Sequence, residues 1–410
     1  MFRVLSDWSR LYTDLETPLP DISLSFRDYV LGEGRIRESA SYQRDKEYWL
    51  KRMDSLPPAP TLPLVRKPLA GETYRFSRLQ KTLSAEQWSA LKERAQSVGV
   101  SPSGMLLAAY AEVLGRWSGQ QHFTINLTQF NRLPVHPQIG DIAGDFTSLI
   151  LLAVERRGRC FIDRVRDLQN QLWSDLDHTT FSGVELLREM GATRGESGST
   201  VMPFVFTSAL GLNPNDEKAM IGSSLGEFVY GISQTPQVLL DHQAFELAGQ
   251  LLLVWDLAWE YFPAGMPEDM FASYVHLLIR LSEDATLWDS SCVLPLPPVQ
   301  AESRRTVNAT ECDFDGPQLL QELFLAQATC HPDRLAVSAG DRQMSYRELA
   351  ARSASLAHNL RSAGVQPGEL VAIVMEKGWE QVVAVLGILM SGGGYLPRRQ
   401  IGRASCRERV

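Results

Sequence analysis

Two apolar runs carrying polar side chains decide how this chain reads: Pro203-Phe204-Val205-Phe206-Thr207-Ser208-Ala209-Leu210 and Ser233-Gln234-Thr235-Pro236-Gln237-Val238-Leu239-Leu240-Asp241. Their aromatic and branched aliphatic residues mark both as strands. Asp241 ends a Val-Leu-Leu run, a poor place for a charge that must pack. A buried carboxylate is costly unless it is paired, hydrogen-bonded or protonated. Asp241 therefore either faces water at a strand end or works in a cleft. Residue type alone favours the first, a cap or turn residue.

Two neighbouring segments shift that balance. Gly144-Asp145-Phe146-Thr147-Ser148 leads into the apolar run Leu149 to Val154, and Asn126-Leu127-Thr128-Gln129-Phe130-Asn131-Arg132-Leu133-Pro134 lies just upstream. The four stretches together resemble the heterocyclization domain of nonribosomal peptide synthetases. That domain is the variant of the condensation domain that makes thiazoline or oxazoline rings. Leu56-Pro57-Pro58-Ala59-Pro60-Thr61-Leu62-Pro63-Leu64 is similar to the family's proline-rich motif. Ser101-Pro102, followed by an apolar helix ending at Trp117, is similar to its next one. Six ordered motifs over about residues 25–256 are far more specific than any short pattern alone. Within the family the chain resembles pyochelin-type siderophore synthetases.

Composition bounds the alternatives. The 410 residues give room for two or three domains. With 44% hydrophobic and 21% charged residues the chain reads as an ordinary globular protein. A formal charge of −8 gives no reason to expect nucleic acid or an anionic membrane as partner. No apolar run approaches the roughly 18 residues that would span a bilayer, and the first residues lack signal-peptide architecture. Cys160, Cys292, Cys312, Cys330 and Cys406 stand far apart without a CxxC pair. That fits a reducing cytoplasm and argues against a disulfide framework or a zinc site.

Periodicity predicts a mixed α/β chain. Ser84-Ala85-Glu86-Gln87 has the form of a capping box, followed at helical spacing by Trp88, Leu91, Ala95 and Val98. Ser101 caps a second helix with Pro102 in its first turn. Phe123 to Thr128, Thr147 to Val154, Phe204 to Thr207, Val238 to Asp241 and Leu251 to Trp255 read as strands. Phe161, Val165, Leu168, Leu172 and Leu176 mark an amphipathic helix, and Gly191 to Thr200 a loop. Leu294-Pro295-Leu296-Pro297-Pro298 is a stiff segment of the kind that spaces domains. After it the pattern restarts, with a helix beginning at Leu319, a short strand end and a capping box over Met344 to Leu349, a strand over Leu370 to Met375 and a helix over Trp379 to Met390. Strand–helix–strand alternation suggests a doubly wound unit.

The restart resembles the beginning of an adenylation domain of the acyl-adenylate-forming family. Ser345-Tyr346-Arg347-Glu348-Leu349 is similar to its first core motif and Leu389 to Pro397 to its second. The expected organisation is a heterocyclization domain over 1–294, a proline-rich linker over 295–316 and an adenylation fragment over 317–397. The expected folds are a chloramphenicol-acetyltransferase-like lobe and an incomplete α/β piece. Residues 398–410 hold five arginines and one glutamate, leaving −12 on residues 1–397. They read as a cloning or sequencing scar, with a basic tail for an acidic partner as the rival. Neither the DxxxxDxxS motif of heterocyclization domains nor the HHxxxDG of ordinary condensation domains occurs in the sequence. The expectation is a fragment of a larger synthetase, cut at both ends and inactive alone.

The resemblance implies chemistry and roles. A carrier-bound acyl group is joined to the amine of a carrier-bound Cys, Ser or Thr. The side chain then attacks the new amide and water leaves. Asp241 would be the general acid/base of that cyclodehydration, with Thr207 orienting it or the hemiaminal oxygen. Asn131, Ser208 and Gln234 would position substrate, and Asp145 would hold a turn. Phosphopantetheine on partner carrier domains is the implied cofactor. ATP and Mg belong to the complete adenylation domain, with no site for them here. Gly392-Gly393-Gly394 lacks the Lys-Ser/Thr of a phosphate loop and reads as close packing at a turn. The rival functions are a non-catalytic fragment that at most binds carrier or partner domains, and an ordinary condensation domain without cyclisation.

Several other groups read as structural. His242 would face away from Asp241 if the strand continues. Asp175, Asp177 and His178 do not share a helical face and read as solvated charge rather than a metal site. Trp88, Trp117, Trp173 and Trp255 read as core. Gly222-Ser223-Ser224-Leu225, faintly like a carrier attachment serine, lies between two heterocyclization motifs and is set aside.

Overall fold

Helices begin where the sequence places their caps. The Ser84 hydroxyl accepts from the Gln87 backbone N–H, and the Gln87 side chain accepts from the Ser84 N–H. That reciprocal pair satisfies two donors a helix start leaves open. Ser101 accepts from the Gly104 N–H, with Pro102 in the first turn. The computed structural model describes residues 2–16, 18–19, 21–67, 72, 75–134, 136–156, 160–194, 202–210, 230–291, 293–311, 319–340 and 342–397. Gly222 to Leu225 and the tail 398–410 lie outside the described residues.

The chain divides into two compact units, Met1–Thr306 and Val307–Val410. In the first, helices α1 (Phe2–Thr13), α2 (Phe26–Ile36) and α3 (Ala40–Met53) precede β1 (Phe76–Leu83). Then come α4 (Ala85–Ser97), α5 (Pro102–Ser118), β2 (His122–Phe130), β3 (Thr147–Glu155), α6 (Phe161–Leu176) and α7 (Gly183–Arg194). Strands β4 (Phe204–Ala209), β5 (Leu240–Leu247) and β6 (Gln250–Ala258) follow, then a helix over Met266–Glu283.

The six strands form one sheet in the order β1-β6-β5-β4-β2-β3. Strand β4 runs parallel to both β2 and β5, and the remaining pairs are antiparallel. Helices α4, α5, α6 and Met266–Glu283 pack on one face. Trp88, Leu91, Tyr110, Phe123, Trp255 and Tyr274 are fully buried in that layer. Side chains alternate along a strand, so every second residue faces the other way, toward the cavity described below.

The second unit is a hairpin and a β-α-β unit. Strands β7 (Leu335–Ala339) and β8 (Arg342–Ser345) pair antiparallel. Strands β9 (Leu370–Ile373) and β10 (Gly394–Pro397) pair parallel across the helix Trp379–Ser391. Gly392 ends that helix at φ 94°, where any other side chain is strained. Leu370, Val374 and Leu396 are exposed, while Val371 is half-buried.

The structure alters several expectations. Residues 293–297 have no regular structure, but Pro298–Asn308 is a helix, and the division between the units falls at its end. Helix α7 runs through Gly191 to Arg194; residues 195–200 are not described. Strand β5 starts at Leu240 rather than Val238, and β9 stops at Ile373 rather than Met375. Ser345 caps its helix through the Glu348 N–H, but the Glu348 side chain turns to Arg352. Trp173 is 53% exposed, on the outer face of α6. Asp175 is no solvated charge: it is buried and accepts from Tyr48, Arg52 and Gln171.

Candidate active site

Strand register sets polar groups in two rows on one face of the sheet. In the first row Arg78, Asp256, Asp241, Val205 and Asn126 are successive partners on β1, β6, β5, β4 and β2. Two residues further along β5, Gln243 pairs with Thr207 on β4, which pairs with Thr128 on β2. Two-residue steps keep the same face. The members of both rows on β2, β4 and β5 floor a cavity of about 820 Å³, within the size range of small-ligand sites. Ser233, Thr235 and Val238 wall one side, ahead of β5, and the loop between β2 and β3 walls another.

That loop is held by Arg132. Its Nη1 donates to the carbonyls of Ile139 and Ile142, and its guanidinium lies 3.9 Å from the Phe146 ring centroid. Phe146 packs edge-on against Tyr29 and Phe26. A Cβ at Gly144 would overlap the Phe26 ring, so only glycine permits this approach. Asp145 lines the cavity but serves the turn, as expected: its Oδ1 accepts from the Thr147 N–H at 2.9 Å. The Thr147 hydrogen bonds hold its carboxyl below the usual value.

Asp241 is 7% exposed. Its Oδ2 accepts from Gln243 Nε2 at 3.0 Å, and its Oδ1 is buried without a hydrogen-bond partner among the described residues. Burial pushes its pKa above the ordinary 3.8. The nearby Ser233 hydroxyl and the Gln243 amide pull it back, Asp256 raises it and Arg78 lowers it. Of the two polar neighbours, Gln243 alone makes a hydrogen bond of regular geometry to the carboxyl. A carboxyl whose pKa burial raises suits general acid/base chemistry.

Thr207 and Asp241 line the same cavity, one register step apart on neighbouring strands. No direct hydrogen bond joins them; Gln243 is the carboxyl's partner. The other expected site residues are distributed differently. Ser208 faces the helix layer, its hydroxyl 2.8 Å from Ser103 Oγ on α5. Gln234 is exposed, while its neighbours Ser233 and Thr235 line the cavity. Asn131 lies outside the main cavity: its Nδ2 donates to the Thr179 carbonyl at 3.3 Å and its own carbonyl accepts from Tyr29. His242 faces the core, 2.8 Å from the Tyr274 hydroxyl, and burial drives its pKa down to about 3. It is neutral and has no part in the cavity.

The residues not foreseen are Gln243, Asp256, Arg78, Asn126, Ser233 and Thr235. Gln243 was findable, since it stands two residues after Asp241. Asp256 carries the signal that singles out Asp241, a charge inside an apolar run. Arg78 joins them only through strand register, which the sequence does not reveal.

Cβ atoms at Gly393 and Gly394 would lie 3.1 Å from the Glu369 carbonyl and from Leu370 Cδ2, so these glycines serve close packing. Among the described residues no group of His, Cys, Asp or Glu is arranged to hold a metal ion. No single described helix is long and apolar enough to cross a membrane.

This sheet, with its polar face turned to a cavity, is that of a condensation domain. Residues 4–297 match the Condensation domain family, and the chain belongs to it; residues 324–401 match the AMP-binding enzyme family. The second match runs past Pro397 into the stretch read as foreign. Among curated relatives, pyochelin synthetase PchF of Pseudomonas aeruginosa is 39% identical over 397 residues, 96% of this chain and 21% of that protein. Phenyloxazoline synthase MbtB of Mycobacterium tuberculosis is 35% identical over 402 residues, 96% of this chain and 28% of that protein. Among solved structures, a variant of the nonribosomal peptide synthetase FmoA3 is 38% identical with a TM-score of 0.69, covering 97% of this chain and 42% of that one. The EpoB cyclization-docking bidomain from Sorangium cellulosum is 41% identical with a TM-score of 0.62, covering 70% and 57%. The chain thus spans about a fifth of one curated relative and over a quarter of the other. It carries a condensation domain and the start of an AMP-binding domain, as in nonribosomal peptide synthetases.

Proposed function

We propose that this chain is the cyclising part of a nonribosomal peptide synthetase, which joins a carrier-bound acyl group to a carrier-bound Cys, Ser or Thr and closes a thiazoline or oxazoline ring. One observation carries the reading: the Asp241 carboxyl is buried on the cavity face beside Thr207, with one oxygen unpartnered. Likeness to a solved cyclization domain and to synthetases named for pyochelin and phenyloxazoline supports it, and with it a place in siderophore synthesis.

In this reading the substrate's thiol or hydroxyl adds to the carbonyl of the new amide. Asp241 takes its proton and passes it to the former carbonyl oxygen, which becomes a hydroxyl. That hydroxyl leaves as water with the amide nitrogen's own proton, relayed by Asp241, as the C=N bond forms. The carboxyl ends as it began. Thr207 can donate to the departing oxygen or steady the carboxyl through a bridging water. The acyl and aminoacyl groups arrive on the phosphopantetheine arms of carrier domains. Amino-acid activation with ATP and Mg belongs to the complete adenylation domain.

The test is reconstitution of the parent synthetase with its loaded carriers and mass spectrometry of the bound product. The expected product is short of the linear amide by one water. Accumulation of the linear amide alone would make this an ordinary condensation domain, and no transfer at all would leave a binding role.

A further inference from the structure

Gln243 occupies an unusual position, with its amide nitrogen between two carboxylates. Nε2 stands 3.0 Å from Asp241 Oδ2 and 3.4 Å from Asp256 Oδ2. An amide nitrogen has two N–H donors and can serve both acceptors; the amide oxygen, turned the same way, would face two acceptors and repel them. The orientation is therefore fixed by chemistry. Asp256 is held in turn by Arg78, through two parallel bonds, and by the Ser233 N–H at 2.7 Å to Oδ2. Gripped by Arg78 through two bonds, the Asp256 carboxylate is fixed in place and anchors the amide.

The consequence concerns which oxygen of Asp241 carries a proton. Oδ2 already accepts from Gln243, so a proton there would set two hydrogens against each other. Oδ1 is buried and has no hydrogen-bond partner among the described residues. We infer that Gln243 is a positioning residue for Asp241: anchored by the Arg78–Asp256 pair, its amide occupies Oδ2 and leaves Oδ1 to carry the carboxyl's proton. This rests on the acid/base reading of Asp241.

The charged and titratable surroundings of Asp241 are few. Asp256 on β6 and Arg78 on β1 lie in its row, and Tyr110 on α5 lies beneath the sheet. His242, next in sequence, points away and is neutral. Asp145 and Arg132 belong to the cavity wall formed by the loop between β2 and β3.

The experiment uses the parent synthetase with loaded carriers and follows amide formation and ring closure separately across pH. Gln243→Met keeps the length and removes both donors. Ring closure should slow about tenfold, and its pH limb should move up by about one unit, the equivalent of one charge-assisted hydrogen bond. Amide formation should stay within about twofold. Arg78→Lys, which keeps the charge but loses the two-pronged grip, should move the limb the same way by less. Should Gln243→Met not fold, Gln243→Asn, too short to reach Asp241, should show the same displacement. An unmoved limb, or equal loss of both steps, would overturn the inference. Asp241→Asn separates the two claims. If it spares ring closure, the acid/base reading fails. If it blocks ring closure while Gln243→Met leaves the pH limb in place, only the inference about Gln243 fails.

Discussion

The guanidinium of Arg78 on β1 closes on the carboxylate of Asp256 on β6 through two parallel hydrogen bonds, 2.8 Å from Nε to Oδ1 and 2.7 Å from Nη2 to Oδ2. Asp256 is fully buried and Arg78 is not. The pair ties an edge strand to its neighbour, and its removal is asymmetric. Arg78→Met should strand a buried charge and destabilise the fold by about 3–5 kcal/mol. Arg78→Met with Asp256→Leu should recover most of that, because no unpaired charge remains. Urea denaturation of the two variants checks this. Equal losses in both would mean that the pair acts through packing alone.

Thr207→Val keeps the branched shape at a strand position and removes only the hydroxyl. Stability should change by about 1 kcal/mol or less, since the hydroxyl makes no hydrogen bond among the described residues. Ring closure should fall about 10–100-fold, the worth of one hydrogen bond to a developing charge. Loss of amide formation to the same degree would make Thr207 a binding residue instead.

Two buried groups on opposite faces of β5 give opposite pH dependence. His242 has a native pKa lowered to about 3, against 6.5 when unfolded. The unfolded chain binds the extra proton, so stability is lost as pH falls from about 6.5 toward 3. The native pKa of Asp241 is raised above 3.8, so here the native state holds the extra proton. Stability is lost as pH rises from about 3.8 through that native value. His242→Gln should therefore flatten the acid side of the stability profile, and Asp241→Asn should stabilise the chain near neutral pH. Melting temperatures of both variants between about pH 4 and 8 read the two slopes, and parallel profiles for variants and parent would contradict them.

Gly144→Ala tests the cavity wall. The new methyl group would overlap the Phe26 ring, and overpacking of this kind costs about 1–3 kcal/mol. Phe26 or the loop carrying Asp145 must shift, so the Michaelis constant for the carrier-bound donor should rise more than the turnover number falls. Unchanged kinetics and stability would show that α2 yields freely.

Much of this was legible in the sequence because strand alternation is strict. Thr207 and Asp241 stood out as polar groups in apolar runs, and the structure places both on the cavity face. The same alternation argued that His242 points away, and it does. Ser208 was misjudged against that rule, since a residue next to Thr207 must take the opposite face. Gln234 and Ser233 repeat the error by one position in a segment without regular structure. Arg78 was out of reach for another reason. It is 178 residues from Asp256, and only the β1–β6 register brings them together. Trp173 shows the limit of residue type, because a large apolar side chain on a helix is not thereby inside.

The central claim is that Asp241 moves the protons of ring closure, and Asp241→Asn in the parent synthetase tests it most directly. The amide keeps the shape and can still meet a donor, but exchanges no proton near neutral pH. Mass spectrometry of the carrier-bound species resolves the linear amide from the ring, which differ by one water. The account predicts that the linear amide forms at close to the normal rate and accumulates, with ring closure slowed about 10²–10⁴-fold. Ring closure at the normal rate, or loss of amide formation to the same extent, would contradict it.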